Sequence, residues 1–382
     1  NTAIGYFALQ QNTTEDNNTA VGYEALTANT GSNNNALGSE ALEKNTTGVQ
    51  NTGIGYQALR ENTTGSYNTA VGNYALDACT TSSSLTAVGL NALSSVTSGI
   101  VQCTAVGANA LKLNTGSYNT AIGHGSLDAN TSGVANVAVG DGSLGGNTTA
   151  DYNTAMGHFA LNTNTTGGSN TAVGGNALRY ATTASNNTSV GHYSSVAITT
   201  GYNNTTVGYY ALSGCTTGFA NATFGYSAGG SISTGANNIC IGRNAGESGS
   251  PSGTLNTHND RIALGDNNIT NAYIKVDWTV TSDRRDKTDI TPFTHGLSWI
   301  NKLNPVTYRW DNRSDYENGV PDGSKKGTQL NLGLIAQDEI EVEKEHGYGD
   351  TSENMLVSHV NEEGNYGMQY SKLVPILINA VK

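Results

Sequence analysis

The chain has 382 residues, with 48 Gly, 5 Pro and 13% charged residues, where globular proteins carry about 25% charge. Its net charge of −12 offers no basic stripe, which argues against binding nucleic acid through phosphates. No run of 18 apolar residues is present, so no membrane-spanning helix is predicted. Asn and Thr fill the share that charge leaves, and polarity with so little charge is not the composition of a disordered chain. No signal peptide opens the sequence at Asn1, and it ends inside an apolar run from Leu373 to Val381. The expectation is a segment of a longer polypeptide.

Residues 1–246 are periodic. A Gly preceded by an apolar residue recurs at Gly5, Gly22, Gly38, Gly55 and Gly72 and onward to Gly242, fifteen copies in all, and eleven of the fourteen steps are 17 residues. Such self-similarity predicts stacked supersecondary units rather than a globule. Three residues after each Gly stands Ala or Ser, as at Ala8, Ala25 and Ser126. Four after it stands Leu in twelve copies, failing at Ser195, Gly229 and Gly246. These fixed phases predict a narrow interior in which like side chains stack coil on coil. Seventeen residues are too few for a helix plus a strand with two turns, so each coil is predicted as two short strands and two turns. At about 4.8 Å per coil the rod would be roughly 70 Å long.

Asn keeps two phases of its own. Four residues before the Gly it occupies thirteen of fifteen copies, the exceptions being Leu85 and Cys103. Seven after the Gly it stands at Asn12, Asn29, Asn45, Asn62, Asn114, Asn130, Asn147 and Asn164. Stacked amides can bond along the axis and satisfy turn backbone. At the second phase the replacements are Cys79, Val96, Ala181, Ile198, Cys215 and Ile232. Apolar replacements place that phase inward or in a subunit contact. The cysteines Cys79, Cys103, Cys215 and Cys240 lack metal-ligand spacing and read as small buried fillers, so neither metal nor cofactor is expected.

The unit Asn68–Leu76 (NTAVGNYAL) resembles the head repeats of trimeric autotransporter adhesins, a repeat style also found in phage tail fibres. The resemblance implies a mainly β fold, a parallel β-roll with three chains side by side. Apolar and Asn columns on several faces likewise exceed what one thin solenoid can cover, which predicts a homotrimer.

Repeat order fades after Gly242, and residues 247–281 read as a neck. Arg261–Gly265 (RIALG) looks like a last degenerate coil, and Ala272–Val280 alternates as a strand. After residue 281 charge clusters appear, and four motifs follow in order: Thr281–Ile290 (TSDRRDKTDI), Leu303–Trp310 (LNPVTYRW), Leu332–Asp338 (LGLIAQD) and Tyr370–Val381 (YSKLVPILINAV). Together they resemble the endosialidase-type intramolecular chaperone, an autoproteolytic family. The resemblance implies a smaller α+β chaperone domain over 282–382. It also implies a Ser–Lys dyad, Ser282 and Lys287, that cuts between Thr281 and Ser282 once a trimer has folded.

The residues make that chemistry plausible on their own. A Ser hydroxyl needs an adjacent base, and a neutral Lys can serve, a state that burial or the nearby Arg284 and Arg285 would favour. Asp283, Asp286 and Asp289 read as ion-pair partners of the arginines. No turnover of an external substrate is expected. The combined reading is a homotrimeric phage tail-fibre shaft, part of a virion and assembled in the host cytoplasm. It would join the virion through sequence upstream of Asn1 and contact a host surface glycan or protein. Residues just after the repeat Gly, among them Tyr6, Tyr23, His124, His158, His192, Tyr209 and Tyr226, could stack on sugars or on one another. The alternatives are a glycan-degrading tailspike fragment and a bacterial trimeric surface adhesin. The first wants a carboxylate pair, and coils this even leave no loop to hold one.

Overall fold

The computed structural model describes residues 1–275, 279–361 and 364–382, and it divides into two units, Asn1–Asp266 and Asn267–Lys382. In the first, each coil contributes one three-residue strand ending just before the repeat glycine. The strands run from Thr2–Ile4 to Ile262–Leu264, sixteen in one parallel sheet that follows chain order. The mainly β, parallel solenoid expected from the repeat is therefore the fold. Register is phase on phase: Thr154 pairs with Thr171, Ala155 with Ala172 and Met156 with Val173. The middle residue of each strand from the second coil on is buried and its neighbours face outward, as period-two alternation requires. Arg261–Gly265 does supply a further coil, since Ile262 pairs with Ile239.

The coil departs from the expected two strands. One side is a true strand. The other bonds from coil to coil without β geometry. The Glu24 N–H reaches back to the Tyr6 carbonyl (2.9 Å), and the Leu26 N–H reaches forward to the Ala41 carbonyl (3.1 Å). That reversal rests on left-handed residues two and four places after the glycine, such as Glu24 (φ 54°) and Leu26 (φ 51°). A left-handed Leu costs roughly 1–2 kcal/mol. Full burial of its side chain returns about 1.5–3 kcal/mol, so packing holds the backbone there. At Ser195, where Leu is missing, buried hydroxyls take over: the Oγ atoms of Ser194 and Ser195 lie 2.9 and 2.8 Å from Thr206 Oγ1.

The repeat glycine is required twice over. At Gly72 φ is 136°, and a Cβ there would lie 2.5 Å from the Gly89 carbonyl oxygen. The asparagine columns also fold inward. The Asn51 N–H donates to Asn34 Oδ1 (3.0 Å), and Asn51 Nδ2 donates to the Gly65 carbonyl (2.8 Å). In the second column Asn45 Nδ2 donates to Asn29 Oδ1 (2.6 Å) and to the Gly48 carbonyl (2.9 Å). Of the two placements that the apolar replacements allowed, the inward one is realised, with these side chains fully buried. Each run of that column ends on an unmet acceptor. Asn62 Oδ1 faces the coil carrying Cys79, and Asn164 Oδ1 the coil carrying Ala181; neither has a partner among the described residues.

The second unit is small and mixed. Helices α1 (Leu297–Ile300), α2 (Ala336–Glu345) and α3 (Leu373–Val381) accompany two antiparallel pairs, Val306–Tyr308 with Asn331–Gly333 and Ser358–Val360 with Tyr366–Met368. Trp299, Val342, Val357, Leu373 and Ile376 form its core. α3 packs tightly against Gly296, since a Cβ there would lie 2.6 Å from the Asn379 carbonyl carbon. Of the strand expected at Ala272–Val280, residues 276–278 lie outside the described residues, and the described flanks are not in strand. Among the described residues no helix is long and apolar enough to cross a membrane.

Candidate functional site

Ser282 and Lys287 are five residues apart, a span of roughly 17 Å if extended. The chain between them curls into a 3₁₀ turn, Arg284–Asp286, with Asp283 as its N-cap and Lys287 as its C-cap. Asp283 Oδ1 accepts from the Arg285 N–H (2.9 Å), and the Lys287 N–H donates to the Arg284 carbonyl (3.2 Å). The turn brings the Lys287 ammonium nitrogen back onto the serine: Lys287 Nζ lies 2.5 Å from Ser282 Oγ. The two residues singled out by sequence are thus in direct hydrogen-bond contact. The expected ion pairing appears at Asp283, whose carboxylate binds the Arg285 guanidinium (Nη2–Oδ2 2.6 Å). Arg285 holds the Asp283 carboxyl below the usual range.

Burial, one of the two aids that the sequence reading named, is absent within the single chain: Thr281, Ser282 and Lys287 are all exposed.

Two buried carboxylates in the second unit escaped the sequence reading. Glu343 sits one helical turn after Glu339 on α2, and its carboxylate accepts from the N–H groups of Leu356 (2.6 Å), Val357 (3.0 Å) and Ser358 (2.6 Å) and from Ser358 Oγ (2.6 Å). Glu339, 2% exposed, accepts from Trp299 Nε1 (2.9 Å), while its Oε2 has no partner among the described residues. Burial pushes its pKa up to about 7; Glu343 adds to the rise and the Trp299 bond opposes it. The i, i+4 spacing was visible in the sequence, but two charges facing a core were not.

On the rod, aromatic residues of successive coils stack on one another. Ring centroids lie 5.0 Å apart for Tyr193–Tyr210, 5.5 Å for Tyr209–Tyr226 and 4.9 Å for Tyr202–Phe219. His124 and His158 flank Asp141 at 3.1 and 3.6 Å. The four thiols are buried and free, and burial pushes Cys79 and Cys215 up to about 11 and Cys240 to about 12, so they are not nucleophiles at neutral pH.

Residues 282–348 match the family described as chaperone of endosialidase. The C-terminal unit carries an endosialidase-type chaperone domain. The match begins at Ser282, the residue whose hydroxyl meets Lys287. That domain and the parallel β-solenoid before it support a tail-fibre-like or tailspike-like protein. No curated protein and no solved structure matches the chain.

Proposed function

We propose that this chain is the shaft segment of a homotrimeric phage tail fibre, whose chaperone domain aligns three chains and then severs itself at the Thr281–Ser282 bond. The contact between Lys287 Nζ and Ser282 Oγ carries the reading. A neutral Lys287 takes the proton from Ser282 Oγ, and the oxygen attacks the Thr281 carbonyl carbon. The bond from that carbon to the Ser282 nitrogen breaks as the nitrogen takes up the proton, leaving Thr281 as an ester on the Ser282 side chain. Water then cleaves the ester, giving a Thr281 carboxylate and a new N-terminal Ser282.

Three chains also answer two surface features. A column of outward strand residues runs along the rod, including the exposed Leu37, Ile54, Ile122, Met156, Phe224 and Ile241. On α3, Val374, Leu377, Ile378 and Val381 are exposed as well. Apolar residues aligned along a whole rod form the kind of surface that a partner covers. Neighbouring chains packed around the Ser282–Lys287 turn supply the water exclusion that one chain lacks, so cutting waits for assembly. The finished shaft contacts the host surface.

Electrophoresis under denaturing conditions tests the reaction. Wild type yields pieces of 281 and 101 residues, the second being 382 less 281, whereas Ser282→Ala and Lys287→Ala stay whole. Cleavage of Ser282→Ala at the same bond overturns the assignment. Light scattering on that uncut variant should give three times the chain mass of 39.6 kDa, and a monomer mass overturns the trimer.

A further inference from the structure

We infer that Asp283 is the positioning residue of the cleavage site, acting as the cap that folds the Ser282–Lys287 turn and not as a charge or a base. The inference rests on the Ser282–Lys287 reading above. A lone 3₁₀ turn of three residues is marginal by itself, since it fixes several dihedrals for few bonds. Whatever closes it therefore governs how often Lys287 reaches Ser282. Three bonds close this one: Arg285 N–H to Asp283 Oδ1 (2.9 Å), Asp286 N–H to the Asp283 carbonyl (3.3 Å) and Lys287 N–H to the Arg284 carbonyl (3.2 Å). Asp283 accepts two of the three, one through its side chain. Its extended backbone (φ −70°, ψ 134°) is the conformation of an N-cap residue. The Arg285 guanidinium returns to the same carboxylate through Nε (3.1 Å to either oxygen) and Nη2 (2.6 Å), which fixes the carboxylate's orientation.

The ion pair is the weaker of the two devices. The Arg285 side chain is 88% exposed, and solvent-exposed pairs contribute little. The cap bond shapes the turn directly. Asn and Ser preserve a cap acceptor without the charge, whereas Ala preserves neither. The two roles therefore separate by substitution.

The test follows cleavage of freshly folded full-length chain against time for wild type, Asp283→Ala, Asp283→Asn and Asp283→Ser, with Ser282→Ala as the control. The native mass of each is checked by light scattering. Asp283→Ala should slow cleavage about fivefold, the effect of losing an N-cap bond. Asn and Ser should stay within about twofold of wild type. Equal slowing by Asn and Ala means that the charge acts directly, which overturns the inference. So does an Ala variant that cleaves at the wild-type rate. If Asp283→Ala fails to assemble, the decision passes to Asn and Ser: wild-type rates from both sustain the cap role, and marked slowing by both overturns it. Cleavage of the Ser282→Ala control would instead remove the dyad itself, a separate failure.

Discussion

Glu339→Gln should abolish a pH dependence that the wild-type chaperone domain shows. In the folded domain the carboxyl is 2% exposed, and burial raises its pKa from the ordinary 4.5 to about 7. Between those values the folded state holds a proton that the unfolded state has lost. The stability is therefore fully present below about pH 4.5 and is lost as pH rises through about 7. With about 1.4 kcal/mol for each tenfold change in proton affinity, the loss is about 3 kcal/mol, or on the order of 10 °C in Tm for a domain of this size. Gln keeps the acceptor for Trp299 Nε1 but cannot ionise. All three tryptophans, Trp278, Trp299 and Trp310, follow the rod, so tryptophan fluorescence reports this unit alone. In an uncut Ser282→Ala background, the wild-type melting temperature should fall from pH 5 to pH 8 while Glu339→Gln stays level. A flat or rising wild-type profile, or the same slope in both proteins, refutes the reasoning.

Two substitutions in the rod should act without disturbing that fluorescence transition. Asn130→Ala removes bonds to Asn114 Oδ1 (2.6 Å) and the Gly133 carbonyl (2.9 Å), and takes from Asn147 Nδ2 its acceptor at 2.8 Å. At about 1 kcal/mol per bond the loss is about 3 kcal/mol, read as a lower denaturant midpoint in far-ultraviolet dichroism. Gly157→Ala should be worse than a surface change by at least about 2 kcal/mol, because φ is 142° and the new Cβ would meet the Gly174 carbonyl oxygen at 2.5 Å. An Ala variant melting with wild type would show that the coils can part more easily than their contacts suggest.

The phases of Gly, Ala, Leu and Asn disclosed the rod because each repeats a single physical demand. Gly meets a carbonyl, Ala and Leu fill a narrow interior, and Asn bridges coils. The left-handed positions were hidden. Phe7, Glu24, Gln57 and Tyr74 all adopt φ near 55°, yet none prefers that region, so only the closed geometry of the coil imposes it. The expected second strand failed for that reason. At the proposed cleavage site, spacing and flanking motifs pointed to Ser282 and Lys287, but burial is tertiary, and the single chain leaves both exposed. Glu339 was missed for the converse reason, since a glutamate amid polar neighbours on α2 reads as solvent-facing.

On the proposed trimeric reading, the rod's regularity is also the reason for a separately folding clamp. Each strand presents almost the same edge as the next, Thr154-Ala155-Met156 against Thr171-Ala172-Val173, so chains displaced by one coil bury nearly the same groups. Register must come from a part that does not repeat, and the chaperone domain with its Trp299 core is such a part. A domain that gathers three chains also offsets the entropy of bringing them together. In the proposed assembly the clamp is no longer needed once sixteen coils per chain have zipped, and cutting it away would remove the route by which the rod could loosen in step. Residues 1–281 expressed alone should therefore aggregate through unpaired strand edges. The same residues left behind by cleavage should remain a soluble rod with a high melting temperature. The two products are covalently identical, so the comparison isolates the path of assembly. Equal soluble trimer from both routes would show that the rod finds its own register and that the domain's role is only to cut.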